Sequence, residues 1–409
     1  MSVGKSKKHP NHIAKIGDNH VLKYAAIYGA NAAGKTSLVA AMAASRKLVC
    51  GMPISEVDDE YCRSDPSNKD KPTSFEYLFE NGGRIFQYGF TAVLSKREFR
   101  SEWLYELDQG FTEETLIYSS ELKDDGYECD FDYFEEESMQ RLQIYVDDIG
   151  DRRDSLIIRE MMNKRIRDGS DLEVFNIVSE WFRKKLRINS LRRSFSDEAV
   201  DKAMAHLSRY DTDIRSAEYV PSEVDVFGNM SEEMYRKLKD NPNLFYFGPG
   251  IKVVMEGDEL KAYKLSLIHD STGASFDLIE ESSGTRQAYD FVGTIFDSGS
   301  DDMTFVFDEF GSLMHPLLVK HMVTDFMRDN SDSRNQLIIA THHTSVMSLD
   351  IYRRDEIWFV ERNGGFSDLY SLEQYETNVR FDAVLSKGYL EGRFGALPVF
   401  RETMDYDGE

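Results

Sequence analysis

The sequence predicts an α/β fold in which a sheet of parallel strands is covered by helices. Three short apolar runs, at 25–28, 304–307 and 337–340, have the length and composition of strands buried on both faces. Each run is followed directly by glycine, acidic or histidine residues, and an Ala-rich helical pattern follows the first run. In parallel sheets the carboxyl ends of the strands share one edge, so we expect these polar segments to meet there.

The first run leads into a phosphate-binding loop. It is followed by the pattern Gly29-x-x-x-x-Gly34-Lys35-Thr36, and a helix is predicted to begin at Ser37. The glycines allow the backbone to wrap around phosphates, while Lys35 supplies a cation and Thr36 a hydroxyl ligand for Mg²⁺. The predicted nucleotide-binding residues here are Gly29, Ala30, Asn31, Ala32, Ala33, Gly34, Lys35, Thr36 and Ser37.

The second run ends in two adjacent acids, Asp308 and Glu309. We expect Asp308 to hold Mg²⁺ and Glu309 to orient and polarise the attacking water. A second acid directly after the Mg²⁺ ligand favours a nucleotide hydrolase. A strand that simply ends in solvated carboxylates is the alternative interpretation.

The third run is followed by Thr341-His342-His343. A histidine at this edge of the sheet can reach the γ-phosphate, so His342 joins Lys35 and Glu309 as a predicted catalytic residue. Two exposed loop histidines without a role are the alternative.

These motifs, in this order, resemble the ABC/SMC-type ATPase heads. They look most like the small ABC-type ATPases of bacterial phage-defence and abortive-infection operons. The resemblance implies a P-loop NTPase fold of the ABC-type ATPase head, a mixed sheet with helices, together with ATP and Mg²⁺ as cofactors. It covers residues 9–45 and 245–400 and is carried by "AAIYGANAAGKTSL", "EESSGTR", "FDEFGSLMHPLL", "QLIIATHHTSV", "RRDEIWFVE" and "KGYLEGRFGALPVF".

The resemblance gives a role to segment 281–285, Glu-Ser-Ser-Gly-Thr. The residues alone indicate an ordinary helix N-cap. The resemblance implies that the segment is the signature motif of a head-to-tail homodimer that sandwiches two nucleotides and builds higher oligomers. Ser282 and Gly284 would then contact the nucleotide on the partner's P-loop. The two interpretations are compatible.

The sequence departs from the family pattern at several places. Leu313 and Met314 replace the Ser and Leu that the family usually has before the His-Pro pair, which remains as His315-Pro316. Gly311 stands where the family usually has an acidic residue, and His343 stands where it commonly has Asp or Asn. An F-R-S-F-like strand is usual before the P-loop strand and has no counterpart here, so we expect that strand to be absent or the start of the chain to be shortened.

The rest of the chain suggests an antiparallel β layer and a compact helical insertion. Residues 73–118 alternate and are rich in aromatic residues, with a hairpin signal at 81–83. Residues 152–240 have helical character without the heptads of a long coiled coil. The predicted division is 1–120 for the N-terminal lobe, 121–150 for an acidic connector, 151–244 for the helical insertion, 245–385 for the C-terminal lobe and 386–409 for a C-terminal cap.

Composition limits the partners. The net charge of −24 argues against indiscriminate binding of nucleic acid or acidic membranes. The basic patch at 183–193 is either a solvated helix face or a surface for nucleic acid or an acidic partner. Three scattered cysteines suggest a reducing compartment, and no apolar run is long enough to span a membrane. We expect a cytoplasmic protein.

The resemblance implies an ATP-hydrolysing sensor and switch in phage defence. Because the sequence shows no effector chemistry, we expect a separate toxic partner such as a nuclease. A DNA repair or recombination ATPase head is one alternative. A non-catalytic, ATP-bound oligomeric scaffold is another.

Overall fold

The computed structural model describes residues 3–58, 60–124, 126–149, 154–188, 197–210, 213–223, 227, 230–240, 250–296, 302–375 and 385–397. The strands are β1 Ile13–Ile16, β2 Asn19–Leu22, β3 Tyr24–Gly29, β4 Thr73–Asn81, β5 Arg84–Val93, β6 Glu98–Leu107, β7 Glu114–Lys123, β8 Gly126–Asp130, β9 Leu186–Ile188, β10 Ile214–Pro221, β11 Ile251–Glu256, β12 Glu259–His269, β13 Ser275–Asp277, β14 Thr304–Phe307, β15 Gln336–Ala340, β16 Ile357–Asn363 and β17 Phe366–Ser371. The helices are α1 Lys35–Val49, α2 Glu136–Ile149, α3 Ile157–Met161, α4 Glu173–Glu180, α5 Asp197–Leu207, α6 Glu232–Asp240, α7 Ser283–Phe296, α8 Pro316–Asp329 and α9 Leu385–Leu390.

The central sheet has the strand order β17-β16-β3-β15-β14-β9. The pairs from β16 through to β9 are parallel, and β17 closes one edge as an antiparallel strand. The three predicted strands are the three neighbours β3, β15 and β14. The sheet is therefore mixed, as expected for this fold class.

Side chains on the central strands alternate between two cores. On β3, Tyr24 and Tyr28 belong to the core formed with α5, α7 and α8, whereas Ile27 belongs to the core formed with α1 and the antiparallel layer. Every residue of β3 is buried. A strand that is covered on both faces must be apolar throughout, which is why the sequence shows a continuous run rather than alternation.

The antiparallel layer is a five-stranded sheet in the order β4-β5-β6-β7-β8. Its first hairpin turns at Gly82 and Gly83, whose φ angles of 63° and 79° lie in the left-handed region that a two-residue turn requires. Asn81 pairs with Arg84 across that turn. The hairpin predicted at 81–83 is confirmed.

Segment 151–244 contains helices α3 to α6 and, in addition, two strands. Leu186–Ile188 is the edge strand of the central sheet, parallel to β14, and Ile214–Pro221 pairs with β12. Strand β9 could not be predicted from the sequence, because three residues beside a basic run are too few to show the apolar-polar alternation of a strand. The acidic connector at 121–150 likewise includes β8 and α2.

A buried carboxylate joins this helical segment to the antiparallel layer. Glu102, on β6, is 3% exposed and accepts hydrogen bonds from Tyr88 Oη at 3.0 Å and Tyr118 Oη at 2.7 Å. It also accepts the main-chain N–H groups of Ile157 and Ile158 at 2.6 and 3.1 Å, which begin α3. Four donors satisfy a group that would otherwise be costly to bury.

The start of the chain packs on the edge of the central sheet opposite the predicted loops. A two-stranded hairpin, β1 with β2, precedes the P-loop strand, and it is a sheet of its own. At the other end of the chain, Tyr389 of α9 stacks on Phe359 of β16 with ring centroids 5.7 Å apart. Residues 398–409 of the predicted C-terminal cap lie outside the described residues. Within the described chain, no helix is long and apolar enough to cross a membrane.

A buried polar cluster ties the first residues to the stretch before β16. His12 Nδ1 lies 2.9 Å from Glu356 Oε2. Arg353 is 1% exposed, and its Nε and Nη2 donate to the two Asp355 oxygens at 2.9 and 2.8 Å. Its Nη1 donates to the main-chain carbonyl of Lys8 at 2.7 Å. The "RRDE" stretch therefore holds the N-terminal segment.

This cluster predicts a pH-dependent stability. Burial raises the pKa of Glu356 to about 8 and lowers the pKa of His12 to about 4, so both groups are favoured in their neutral forms. Above the ordinary histidine value of 6.5, His12 is neutral in both states, whereas Glu356 holds its proton only when folded. Folded protein then binds more protons, so stability falls as the pH rises.

We expect the free energy of unfolding to fall by about 1–2 kcal/mol from pH 6.5 to pH 8 because of Glu356. Urea unfolding across this range measures it. Glu356→Gln keeps the shape of the side chain but cannot ionise, so its stability should change less over the same range. Equal slopes for the wild type and Glu356→Gln would contradict this assignment.

Candidate nucleotide-binding site

Parallel pairing brings the three predicted loops to one edge of the central sheet. Phe307 is paired with Ile339, and Ala340 is paired with Ile27. The strands β14, β15 and β3 therefore end nearly level with one another. The residues that follow each strand leave the sheet side by side, as the sequence predicted.

The loop between β3 and α1 is tightly wrapped. Ala32 and Gly34 have φ angles of 61° and 116°, and α1 begins at Lys35, two residues earlier than predicted. A Cβ at Gly29 would lie 2.6 Å from the carbonyl of Val360, and one at Gly34 would lie 2.8 Å from Ser367 Oγ. Both glycines are thus required by the closeness of β16 and β17.

The buried side chain of Lys35 closes the loop. Its Nζ donates to the carbonyls of Gly29 at 2.8 Å and Ala30 at 3.1 Å. Burial lowers the pKa of Lys35, and the carboxylates of Asp308 and Glu309 oppose that shift. The cation therefore lies within electrostatic reach of both predicted acids.

The two acids are held in a strained turn. Asp308 Oδ1 accepts the main-chain N–H of Glu309 at 2.9 Å. Glu309 has a φ angle of 47°, which an L-residue adopts at a cost of about 1 kcal/mol. Such strain at an exposed carboxylate is a feature of functional sites. The Glu309 side chain is exposed and interacts electrostatically with Lys35.

The loop after β15 is fastened to this turn. Thr341 is fully buried, and its Oγ1 donates to the carbonyl of Phe310 at 2.8 Å and accepts the N–H of His343 at 3.1 Å. His342 is exposed beside the acids. Partial desolvation of its ring and the nearby Lys35 lower the pKa of His342, and the two acids oppose this shift. His342 is therefore neutral at pH 7, with one N–H to donate.

Two of the departures from the family pattern, Gly311 and His343, contact each other. His343 Nε2 lies 2.6 Å from the carbonyl oxygen of Gly311. Gly311 has a φ angle of 81°, and a Cβ there would lie 2.5 Å from Val319 Cγ2 and 3.0 Å from His343 Cδ2. The positive φ of Gly311 and the closeness of Val319 and His343 together leave no room for a side chain at this position.

The segment 281–285 caps α7, which begins at Ser283. Ser282 Oγ accepts the N–H of Thr285 at 3.1 Å, so the N-cap interpretation is confirmed as local structure. Ser282 is exposed. A Cβ at Gly284 would lie 2.7 Å from the carbonyl of Leu313, so the cap packs directly on the turn after the two acids.

Sequence reasoning missed one residue that joins these parts. Gln287, in the first half of α7, has its Nε2 3.4 Å from the carbonyl of Glu309, and its Oε1 lies 3.4 Å from the N–H of Leu313. The signal was available, because Gln287 lies one turn after Ser283, on the side of α7 that carries Gly284. A single glutamine has no sequence motif of its own, so its role could not be predicted.

The site fits a nucleoside triphosphate with Mg²⁺. The loop leaves no room for a Cβ at Gly29 or at Gly34, as expected for a loop whose backbone wraps around phosphates. The N-terminus of α1 adds a dipole that favours an anion. Thr36 is exposed in the first turn of α1, and Asp308 is half-buried at the end of β14. Hydroxyl and carboxylate oxygens are suitable Mg²⁺ ligands. Binding itself would place the triphosphate over residues 30–36.

The basic patch at 183–193 is described only as far as residue 188. Lys184 Nζ lies 2.9 Å from Glu180, and Lys185 pairs with Asp302. Acidic neighbours therefore compensate part of its charge. Residues 189–193 lie outside the described residues, and nucleic-acid binding at this patch stays a prediction.

The contact between Gly311 and His343 predicts a stability loss. Gly311→Ala should cost about 3 kcal/mol, the sum of left-handed strain and overpacking against Val319. Gly83 is a matched control, since its φ is 79° and nothing lies within 4 Å of a Cβ there. Gly83→Ala should cost only about 1 kcal/mol. Equal urea midpoints for the two variants would refute the crowding at Gly311.

Several solved structures, including the following three, are similar to this chain. The Smc head domain with a coiled coil and joint from Pyrococcus yayanosii is 14% identical over 48% of this chain and 29% of that one, with a TM-score of 0.29. The SmcHead bound to the C-winged helix domain of ScpA is 12% identical over 89% and 96%, with a TM-score of 0.38. The SMC head domain from Thermotoga maritima is 13% identical over 88% and 96%, with a TM-score of 0.33.

The chain thus spans less than a third of the length of the Pyrococcus yayanosii structure. These TM-scores are low, so the fold described above stands on its own topology. A comparison with curated proteins returned no match.

A family model described as "AAA domain, putative AbiEii toxin, Type IV TA system" matches residues 25–348. The match begins in β3, ends after β15 and takes in the P-loop, the signature segment, the two acids and the histidine loop. It covers well over half of the chain. The chain therefore belongs to this family, and the order of its motifs makes it an ABC/SMC-type P-loop ATPase domain.

Proposed function

We propose that this chain hydrolyses ATP as a head-to-tail homodimer and acts as the sensor and switch of a bacterial phage-defence system. One observation carries the catalytic part. Lys35, the Asp308-Glu309 pair and His342 come from three different loops, and both acids act electrostatically on Lys35 and on His342. A structural role does not require that convergence.

The residues divide the chemistry among them. Bound ATP with Mg²⁺ supplies the phosphoryl group that is cleaved. Lys35 stabilises the charge on its oxygens, and Thr36 and Asp308 hold the cation. Glu309 orients the attacking water and accepts its proton. Neutral His342 donates a hydrogen bond to the γ-phosphate side of the site.

The surface around the signature segment supports a dimer. Three apolar side chains near Ser282 and Gly284 are widely exposed: Ile279 at 60%, Leu313 at 60% and Leu317 at 61%. Arg286 Nη1 donates to the carbonyl of Ile279 at 2.8 Å, so this surface is ordered. Apolar groups clustered beside exposed polar ones are typical of an interaction site. A second head would cover them while Ser282 reaches its nucleotide.

The defence role is supported by the family description, which names a toxin and a type IV toxin–antitoxin system. The described site accounts for nucleotide chemistry only, so we propose that a separate protein, such as a nuclease, is the toxic effector. Expression of this chain alone should leave growth unaffected, whereas coexpression with the effector should be toxic when the switch is triggered. Growth arrest by this chain alone would place the toxic activity here instead.

The first biochemical test is Glu309→Gln. Removal of the base should lower phosphate release by about 10²- to 10⁴-fold and leave ATP binding intact, so an ATP-bound dimer should accumulate. Light scattering after gel filtration with ATP and Mg²⁺ measures the dimer. Lys35→Ala is the background for turnover. Wild-type release no faster than that background would favour a non-catalytic scaffold.

The second test is Ser282→Arg, which places a bulky cation where the partner's phosphates should approach. ATP should still bind to the P-loop of the variant, because the site residues 29–37 are untouched. Dimer formation and turnover should both be lost. Normal turnover by Ser282→Arg would mean that the segment is only a helix cap.

A further inference from the structure

A histidine between two carboxylates lies directly behind the signature segment. His269 is the last residue of β12, and its side chain is 18% exposed. Its Nε2 lies 2.7 Å from Glu281 Oε1, and its Nδ1 lies 3.5 Å from Asp213 Oδ2. Glu281 immediately precedes Ser282 and has a side chain that is 9% exposed. No motif in the sequence points to this arrangement.

The geometry specifies the charge state of the ring. Carboxylates only accept hydrogen bonds, and a neutral imidazole has an N–H on one nitrogen alone. Only the imidazolium can satisfy both neighbours of His269 at once. The hydrogen bond with Glu281 accordingly raises the pKa of His269, and hydrogen bonds from Ser271 lower the pKa of Asp213.

The two carboxylates that face His269 come from different elements. Asp213 comes from the loop before β10, and Glu281 comes from the segment before α7. From β13, Phe276 meets the ring edge-on with centroids 5.1 Å apart, which fixes its plane. The neighbouring ion pair of Lys264 with Asp277, at 2.8 Å, joins β12 to β13 and is internally neutral.

We propose that His269 is a positioning residue that orients the signature segment through Glu281 and neutralises the carboxylate next to the partner's phosphates. Without the imidazolium, the negative charge of Glu281 would stand one residue from Ser282, where a polyanionic nucleotide must approach. When the imidazolium is present, the Glu281 carboxylate is directed toward β12. The positive N-terminal end of α7 is then free to interact with the phosphate. The proposal rests on the proposed function, because it gives Ser282 its role in the dimer.

The consequence is an alkaline loss of activity. The hydrogen bond with Glu281 raises the pKa of His269, so the ring loses its proton at a higher pH than an ordinary histidine does. Turnover at saturating ATP should then fall in the wild type. Glu281→Gln keeps the shape but removes the charge, so this variant should stay active and lose the alkaline decline.

A double-mutant cycle tests the charge argument. At neutral pH, His269→Gln should lower turnover roughly three- to tenfold. The affinity of the monomeric variant for a fluorescent ATP analogue, bound at its own P-loop, should be unchanged. The double variant His269→Gln with Glu281→Gln should recover to within about twofold of the wild type, since neither charge remains. His206→Gln is the matched control, because His206 lies 3.9 Å from Asp329 and is placed on α5. It should keep the wild-type pH profile.

Each result decides something different. A double variant as impaired as His269→Gln would leave only a structural role, and a wild-type pH profile in His269→Gln would also overturn the proposal. If Ser282→Arg abolishes turnover while His269→Gln does not change it, the dimer mechanism stands and the positioning role falls. If Ser282→Arg has no effect, both fall together.

Discussion

The parallel pairing of β3, β15 and β14 is the constraint on which the site depends. It fixes which residues end each strand at the same height, so loops that are nearly 300 residues apart in the chain become neighbours. The P-loop backbone, the two acids and the histidine would each contribute little to nucleotide binding if they stood alone. At one edge of a sheet they bring opposite charges together, and burial of Lys35 strengthens its electrostatic interactions with the two acids.

Much of this could be predicted because the signals are local. A strand buried on both faces is an apolar run, and the P-loop pattern places glycines where the backbone comes too close for a side chain. The hairpin at 81–83 is another local signal, since Gly82 and Gly83 supply positive φ angles. The bounds of β14 agree with the predicted run at 304–307, because Asp308 ends it.

The rest depends on contacts between residues distant in the chain. The approach of His343 to Gly311 cannot be read from either residue, and each looked like a separate departure from the family pattern. Glu102 is an acid in an alternating strand, and nothing in the sequence indicates the four hydrogen-bond donors that it meets in the fold. Strand β9 is too short to be recognised, and only its parallel neighbour β14 defines it.

The same contacts connect the nucleotide side of the site with the signature side. His343 contacts Gly311, the turn from 309 to 314 is closed by the hydrogen bond from Met314 N–H to the Gly311 carbonyl at 2.8 Å, and Leu313 packs on Gly284. Gly311, in its left-handed conformation, is packed tightly between His343 and Val319. A shift of the histidine loop must therefore move the turn. Packed turns of this kind change between discrete arrangements instead of bending gradually. The network around His269 holds the other end of the signature segment to β12, so the segment is joined to the histidine loop through Leu313 and to β12 through Glu281.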